Sequence, residues 1–203
     1  MVNPMKEFGI LIAESVFAKD FYDNNREGQV VESIARVLNW ESEYKIALDG
    51  KNLRRAIKTA CTDDYDVLHL SCHGDEEGIQ LTDETLLSWN ELADCFQERE
   101  RMPCALVISS CVGGDHGIAR AFGQRKRRPD VIFGSEATKP NEITFPGACI
   151  AWPILYTSLA TRGMTRHAFQ DAVGKMNLIT KHKFVYRRWD GDYYRRYPGR
   201  PQV

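Results

Sequence analysis

One histidine and one cysteine each follow directly on an apolar run. Val67 to Cys72 (VLHLSC) leads into His73-Gly74, and Ala105 to Ser110 (ALVISS) leads into Cys111, with Val112-Gly113-Gly114 behind it. A thiol ionises near pH 8.5, so little of it is thiolate at neutral pH. An imidazole within reach takes or shares the proton and turns the sulfur into a nucleophile. Glycine beside such a pair lets backbone N–H groups approach a developing oxyanion; Gly74 and the amide of Cys111 are the predicted donors. A cysteine that closes an apolar strand is commonly a packing residue, and a lone His-Gly says little. Both together, at the ends of two successive buried strands, carry the argument.

The elements around them alternate. Short apolar runs predict strands over Phe8–Ala13, Ser42–Leu48, Tyr65–Cys72, Cys104–Ser110 and Asp130–Ser135. Helical spacing predicts helices over Glu27–Trp40, Gly50–Cys61, His116–Phe122, Thr144–Thr161 and Met164–Met176. Ser88 with Glu91 three residues later is a capping box, so a helix is predicted over Ser88–Glu100. Gly78–Leu81 is a candidate hairpin or edge strand. Near-continuous apolar strands separated by helices predict an α/β fold, a three-layer α-β-α sandwich around a mostly parallel sheet. In such sheets ligands collect beyond the carboxyl ends of the strands, where His73 and Cys111 stand.

The 203 residues suit a single domain, 1–203, ending in an Arg- and aromatic-rich segment from about 184 that has no clear period. Lys and Arg number 27 against 28 Asp and Glu, so no global field selects nucleic acid or an acidic surface. A leader pattern and a membrane-length apolar run are both missing, which predicts a soluble, cytoplasmic protein. The six cysteines, mostly inside apolar segments, are expected as reduced thiols.

Several segments, in order, resemble the caspase–hemoglobinase group (clan CD) of cysteine peptidases, and more closely the CHAT domain, a caspase-like module. They are Asp66–Gly74 (DVLHLSCHG), Leu86–Leu92 (LLSWNEL), Leu106–Gly114 (LVISSCVGG), and Val131–Ser135 (VIFGS) with the helix through Phe145 and Tyr156. The likeness covers about residues 65 to 175. It implies a caspase-like fold and a cysteine endopeptidase with His73 as general base and Cys111 as nucleophile. It also implies a protein substrate, no cofactor, and a regulated bacterial effector in defence or cell-death signalling that a sensor partner activates. The His73-to-Cys111 spacing is shorter than the roughly 50 residues of caspases, and Ser109–Gly113 departs from their Gln-Ala-Cys-x-Gly. Specificity for aspartate therefore does not carry over. An acid near the nucleophile, Asp115 or Glu136, would instead favour a basic residue at the cleavage position, although loop carboxylates are more commonly solvated.

Other readings are weaker. A catalytically silent caspase-like interaction module is disfavoured by the presence of both His73 and Cys111. Amidotransferase-like Cys–His hydrolases place the cysteine ahead of the histidine, the reverse of the order here. Cys72, His73, Cys111 and His116 are soft ligands, yet Cys72 and His73 are adjacent in a strand and point to opposite faces, so no metal is expected. Arg125–Arg128 reads as a solvated basic turn, with direct nucleic-acid binding unexpected. The final segment reads as packing or a partner contact. His69, His167 and His182 show no partner pattern.

Overall fold

The computed structural model describes residues 7–63, 65–136 and 142–198. The chain runs β1 (Gly9–Ser15), α1 (Ala18–Tyr22), α2 (Glu27–Val37), β2 (Glu41–Ile46), α3 (Gly50–Thr62) and β3 (Val67–Gly74). It continues through β4 (Gly78–Gln80), β5 (Leu86–Ser88), α4 (Trp89–Asp94), β6 (Ala105–Ser109), α5 (His116–Gly123) and β7 (Val131–Ser135). The last elements are α6 (Phe145–Arg162), α7 (Arg166–Thr180), β8 (Phe184–Trp189) and β9 (Tyr194–Pro198).

The main sheet is ordered β2-β1-β3-β6-β7-β8-β9. Its first five strands are parallel, and β8 and β9 are antiparallel additions at one edge. Successive side chains alternate between two cores. Leu68, Leu70, Leu106 and Ile108 face α3, α4 and α5, whereas Val67, Ala105, Val107 and Phe133 face α2, α6 and α7. Both faces being covered is why these strands read as continuous apolar runs. The predicted α/β sandwich is the observed architecture.

The Ser88–Glu91 capping box is formed in both directions. The helix it starts is shorter than its pattern predicts: the Cys95 amide is shared between the Glu91 and Leu92 carbonyls, and those of Phe96 and Gln97 turn to carbonyls three residues back. Gly78–Gln80 pairs with both β3 and β5, so it is the middle strand of a small antiparallel extension. Gly163, at φ 72°, separates α6 from α7.

The final segment, for which no periodicity predicted an element, packs back on the domain as its sequence reading expected. It folds as the β8–β9 hairpin, with Tyr186 stacked between Phe169 and Tyr197 at centroid distances of 5.3 and 5.0 Å. Arg187, on the opposite face, is 5% exposed. In the Arg125–Arg128 turn, Arg125 pairs with Asp94 at 2.6 Å and Arg128 lies over the Trp189 ring at 3.9 Å. Among the described residues no helix is long and apolar enough to cross a membrane.

Candidate active site

Strands β3 and β6 are neighbours, paired in parallel up to Ser71 opposite Ser109. His73, still within β3 and paired with Gln80 of β4, and Cys111, in the turn after β6, each lie two residues beyond that pair at the carboxyl edge of the parallel strands. Both line one cavity of about 100 Å³, with Val16, Asp20, Glu27, Ser110 and Phe145 among the other wall residues.

Glycines hold the cysteine turn against the sheet. A Cβ on Gly113 would sit 2.4 Å from Ile108 Cγ2, and one on Gly134 would sit 2.4 Å from the Gly113 carbonyl carbon. Gly114 donates its N–H to the Ser135 carbonyl at 2.9 Å and accepts from Arg187 Nε at 2.8 Å. The backbone after Cys111 is therefore clamped between β6, β7 and β8. Gly74 opens the β3–β4 connection, where a Cβ would meet the Gly78 carbonyl oxygen at 2.8 Å and Ser110 Oγ at 3.0 Å. The Ser110 hydroxyl is buried, lines the cavity, and has no protein partner among the described residues.

The segment after β1 closes the other wall. Asp20 Oδ2 lies 2.8 Å from His73 Nε2. The Phe17 ring stacks on the imidazole at a centroid distance of 4.1 Å and an interplanar angle of 10°. Glu27 begins α2, where the helix dipole favours a carboxylate. It accepts from the Ser109 hydroxyl at 2.8 Å and lies 3.1 Å from His69 Nε2. His69 is fully buried and its Nδ1 lies 2.6 Å from the Tyr156 hydroxyl, so it is a core residue that braces the cavity wall. Glu14, also buried, accepts from Gly28 N–H at 2.7 Å and from the Tyr44 hydroxyl, and thereby holds the start of α2 on the sheet.

The expected pocket acids lie elsewhere. Asp115 is the N-cap of α5 and Glu136 follows β7; neither is among the cavity-lining residues, although the neighbouring residues 137–141 fall outside the described ones. Arg196 engages Glu136 through two nitrogens at 2.7 and 2.6 Å, and Arg187 approaches at 3.0 Å. Burial pushes the Glu136 carboxyl up, and Arg196, Arg187 and Lys183 more than reverse this, leaving it below its ordinary value. Glu136 thereby ties the hairpin to the end of β7. The acids that do line the cavity, Asp20 and Glu27, were missed. Their one signal was position after β1, at the same sheet edge; by type they look like solvated charges.

In the other five cysteines burial disfavours the thiolate. Burial pushes the Cys61, Cys104 and Cys149 thiols up to about 11 and raises Cys95 as well. Cys72 is raised by burial first, then by Glu27 and Cys111. Among the described residues no three His, Cys, Asp or Glu side chains are grouped as metal ligands.

No family model and no curated protein matches this chain. Solved structures do match. A secreted C11 cysteine protease from Bacteroides thetaiotaomicron ("iotapain") aligns with a TM-score of 0.58 and 10% identity, over 91% of this chain and 67% of its own. RgpB of Porphyromonas gingivalis, solved as a complex of pro- and mature domains, aligns at 0.53 and 10%, over 84% of this chain and 43% of its own. Caspase-1 from Spodoptera frugiperda aligns at 0.50 and 16%, over 85% and 79%. At such identities the likeness is one of fold, and the fold of this chain is that of the caspase-like cysteine proteases.

Proposed function

We propose that this chain is a caspase-like cysteine endopeptidase that cuts a protein substrate with Cys111 and His73. The observation that carries the reading is the shared cavity at the tips of β3 and β6, lined by an imidazole and a thiol on a caspase-like sheet. In the first step His73 takes the Cys111 proton, and the thiolate adds to the scissile carbonyl carbon. The oxygen bears the negative charge, and the N–H groups of Gly74 and Cys111 are the proposed donors to it. The intermediate collapses to a Cys111 thioester as the amine leaves with the proton from His73. Water, deprotonated by His73, then releases the acid and restores the thiol.

Glu27 gives the cavity an acidic wall, which supports a basic residue at the cleavage position. By resemblance to CHAT modules, the reading extends to a bacterial effector in defence or cell-death signalling, switched on by a sensor partner. Treatment with iodoacetamide followed by mass mapping is the test of the dyad. Cys111 is expected to be modified first of the six cysteines and His73→Ala to slow it; uniform labelling that His73→Ala leaves unchanged refutes the dyad. A peptide library then reads the cleavage preference.

A further inference from the structure

We propose that Asp20 is a positioning residue for His73, delivered to the dyad by helix α1. The inference rests on the peptidase reading above. With Asp20 Oδ2 at 2.8 Å from His73 Nε2, a carboxylate acceptor keeps the ring proton on Nε2 and leaves the Nδ1 lone pair for the Cys111 proton. Once that proton moves, the same carboxylate stabilises the imidazolium. Phe17, stacked at 4.1 Å, restricts the tilt of the ring while Asp20 restricts its rotation. Both constraints come from one short stretch, and the sheet explains why. Ser15 at the end of β1 pairs with Cys72 on β3, so the residues after Ser15 emerge beside His73.

Helix α1 has five residues, none of them buried, and no side-chain N-cap bond. A helix that short is not stable alone. Its anchors are the two contacts with His73 and a chain of contacts from the other side. Arg26 lies over the Phe21 ring at 5.2 Å, donates to the Tyr44 hydroxyl at 2.8 Å, and reaches the buried Glu14 at 3.7 Å. The Asn25 amide also donates to the Asp20 carbonyl at 2.8 Å. The His73 and Asp20 side chains are 43% and 24% exposed, and an ion pair that open contributes little to folding stability. Its consequence is the orientation of the ring.

The test uses the full chain with Asp20→Asn, Asp20→Ala and Asp20→Glu, and reads three quantities: Cys111 alkylation rate against pH, kcat and KM on the best library peptide, and melting temperature. The Asn and Ala variants are expected to lower kcat roughly 10- to 100-fold with melting temperature held. Their alkylation profiles are expected to move to higher pH, in the same direction as His73→Ala but less far, with Glu restoring part of the effect. Phe17→Leu, which keeps the apolar contact and loses the stacking, is expected to move the profile the same way by less. Profiles and kcat that superpose on the parent in Asp20→Asn and Asp20→Ala overturn the role of Asp20 while the dyad stands. Labelling that is insensitive to His73→Ala removes the peptidase reading and this inference together.

Discussion

Ser109 on β6 donates its hydroxyl hydrogen to Glu27 at 2.8 Å, across 82 positions of sequence. The Trp152 indole N–H donates to the same Ser109 oxygen at 3.1 Å, so the hydroxyl both accepts and donates. A carboxylate is thereby held in the wall of the cavity by groups from β3, β6 and α6. Its burial is compensated by hydrogen bonds, as a buried charge requires.

On the proposed peptidase reading, the cleavage preference is predicted to follow Glu27. Replacing it with Gln keeps the shape and removes the charge. The kcat/KM for peptides with Lys or Arg at the cleavage position should fall roughly 10- to 100-fold, the worth of one charge-assisted hydrogen bond. Neutral peptides should be affected much less. Equal losses on both would show that Glu27 acts only on the fold.

Glu136 should behave in the opposite way. Glu136→Gln leaves Arg187, 5% exposed, without its partner charge. A loss of about 3 kcal/mol in stability is expected, with no change in residue preference among the cleaved peptides. Because the folded Glu136 carboxyl is depressed, its stabilisation is present above the ordinary carboxylate range and is lost as pH falls through the lower folded value. The acid limb of parent stability should accordingly be flatter in the variant, as urea titrations at several pH values would read.

Gly134→Ala forces a methyl group to within 2.4 Å of the Gly113 carbonyl carbon and 2.5 Å of the Gly114 nitrogen. Overpacking of this kind costs about 1–3 kcal/mol. The turn that must yield also carries Cys111. Turnover should drop out of proportion to the shift in melting temperature, and assays well below the melting transition separate the two.

Alkaline pH should unfold the chain progressively. The Cys61, Cys104 and Cys149 thiols are raised to about 11 and the Tyr65 and Tyr186 phenols to about 12, in each case chiefly by burial. In the unfolded chain thiols ionise from about pH 8.5 and phenols near 10. The unfolded state thus loses protons first, and stability falls as pH rises from about 8.5 through the folded values. Urea midpoints measured up to pH 11 should decline across this range, and Cys61→Ala should shallow the decline.

Sheet strands, covering helices and the two residues at the strand tips were legible because each rests on local pattern. The apolar runs before His73 and Cys111, the stripe Leu53, Ala56, Ile57 and Ala60, and the Ser88–Glu91 box act over a few residues and survive into the fold. The hairpin β8–β9 was not legible, because its buried positions are filled by Tyr186 and by an arginine whose charge is met by Glu136, 51 positions away. Asp20 and Glu27 were hidden for the same reason. Among Lys19, Asp23 and Arg26 they look like ordinary solvated charges. It is the order of strands that brings β1 beside β3, and β3 beside β6, and so gives one carboxylate an imidazole and the other a serine. Periodicity reports which face of an element is apolar; the partner of a charge depends on which distant element the sheet sets next to it.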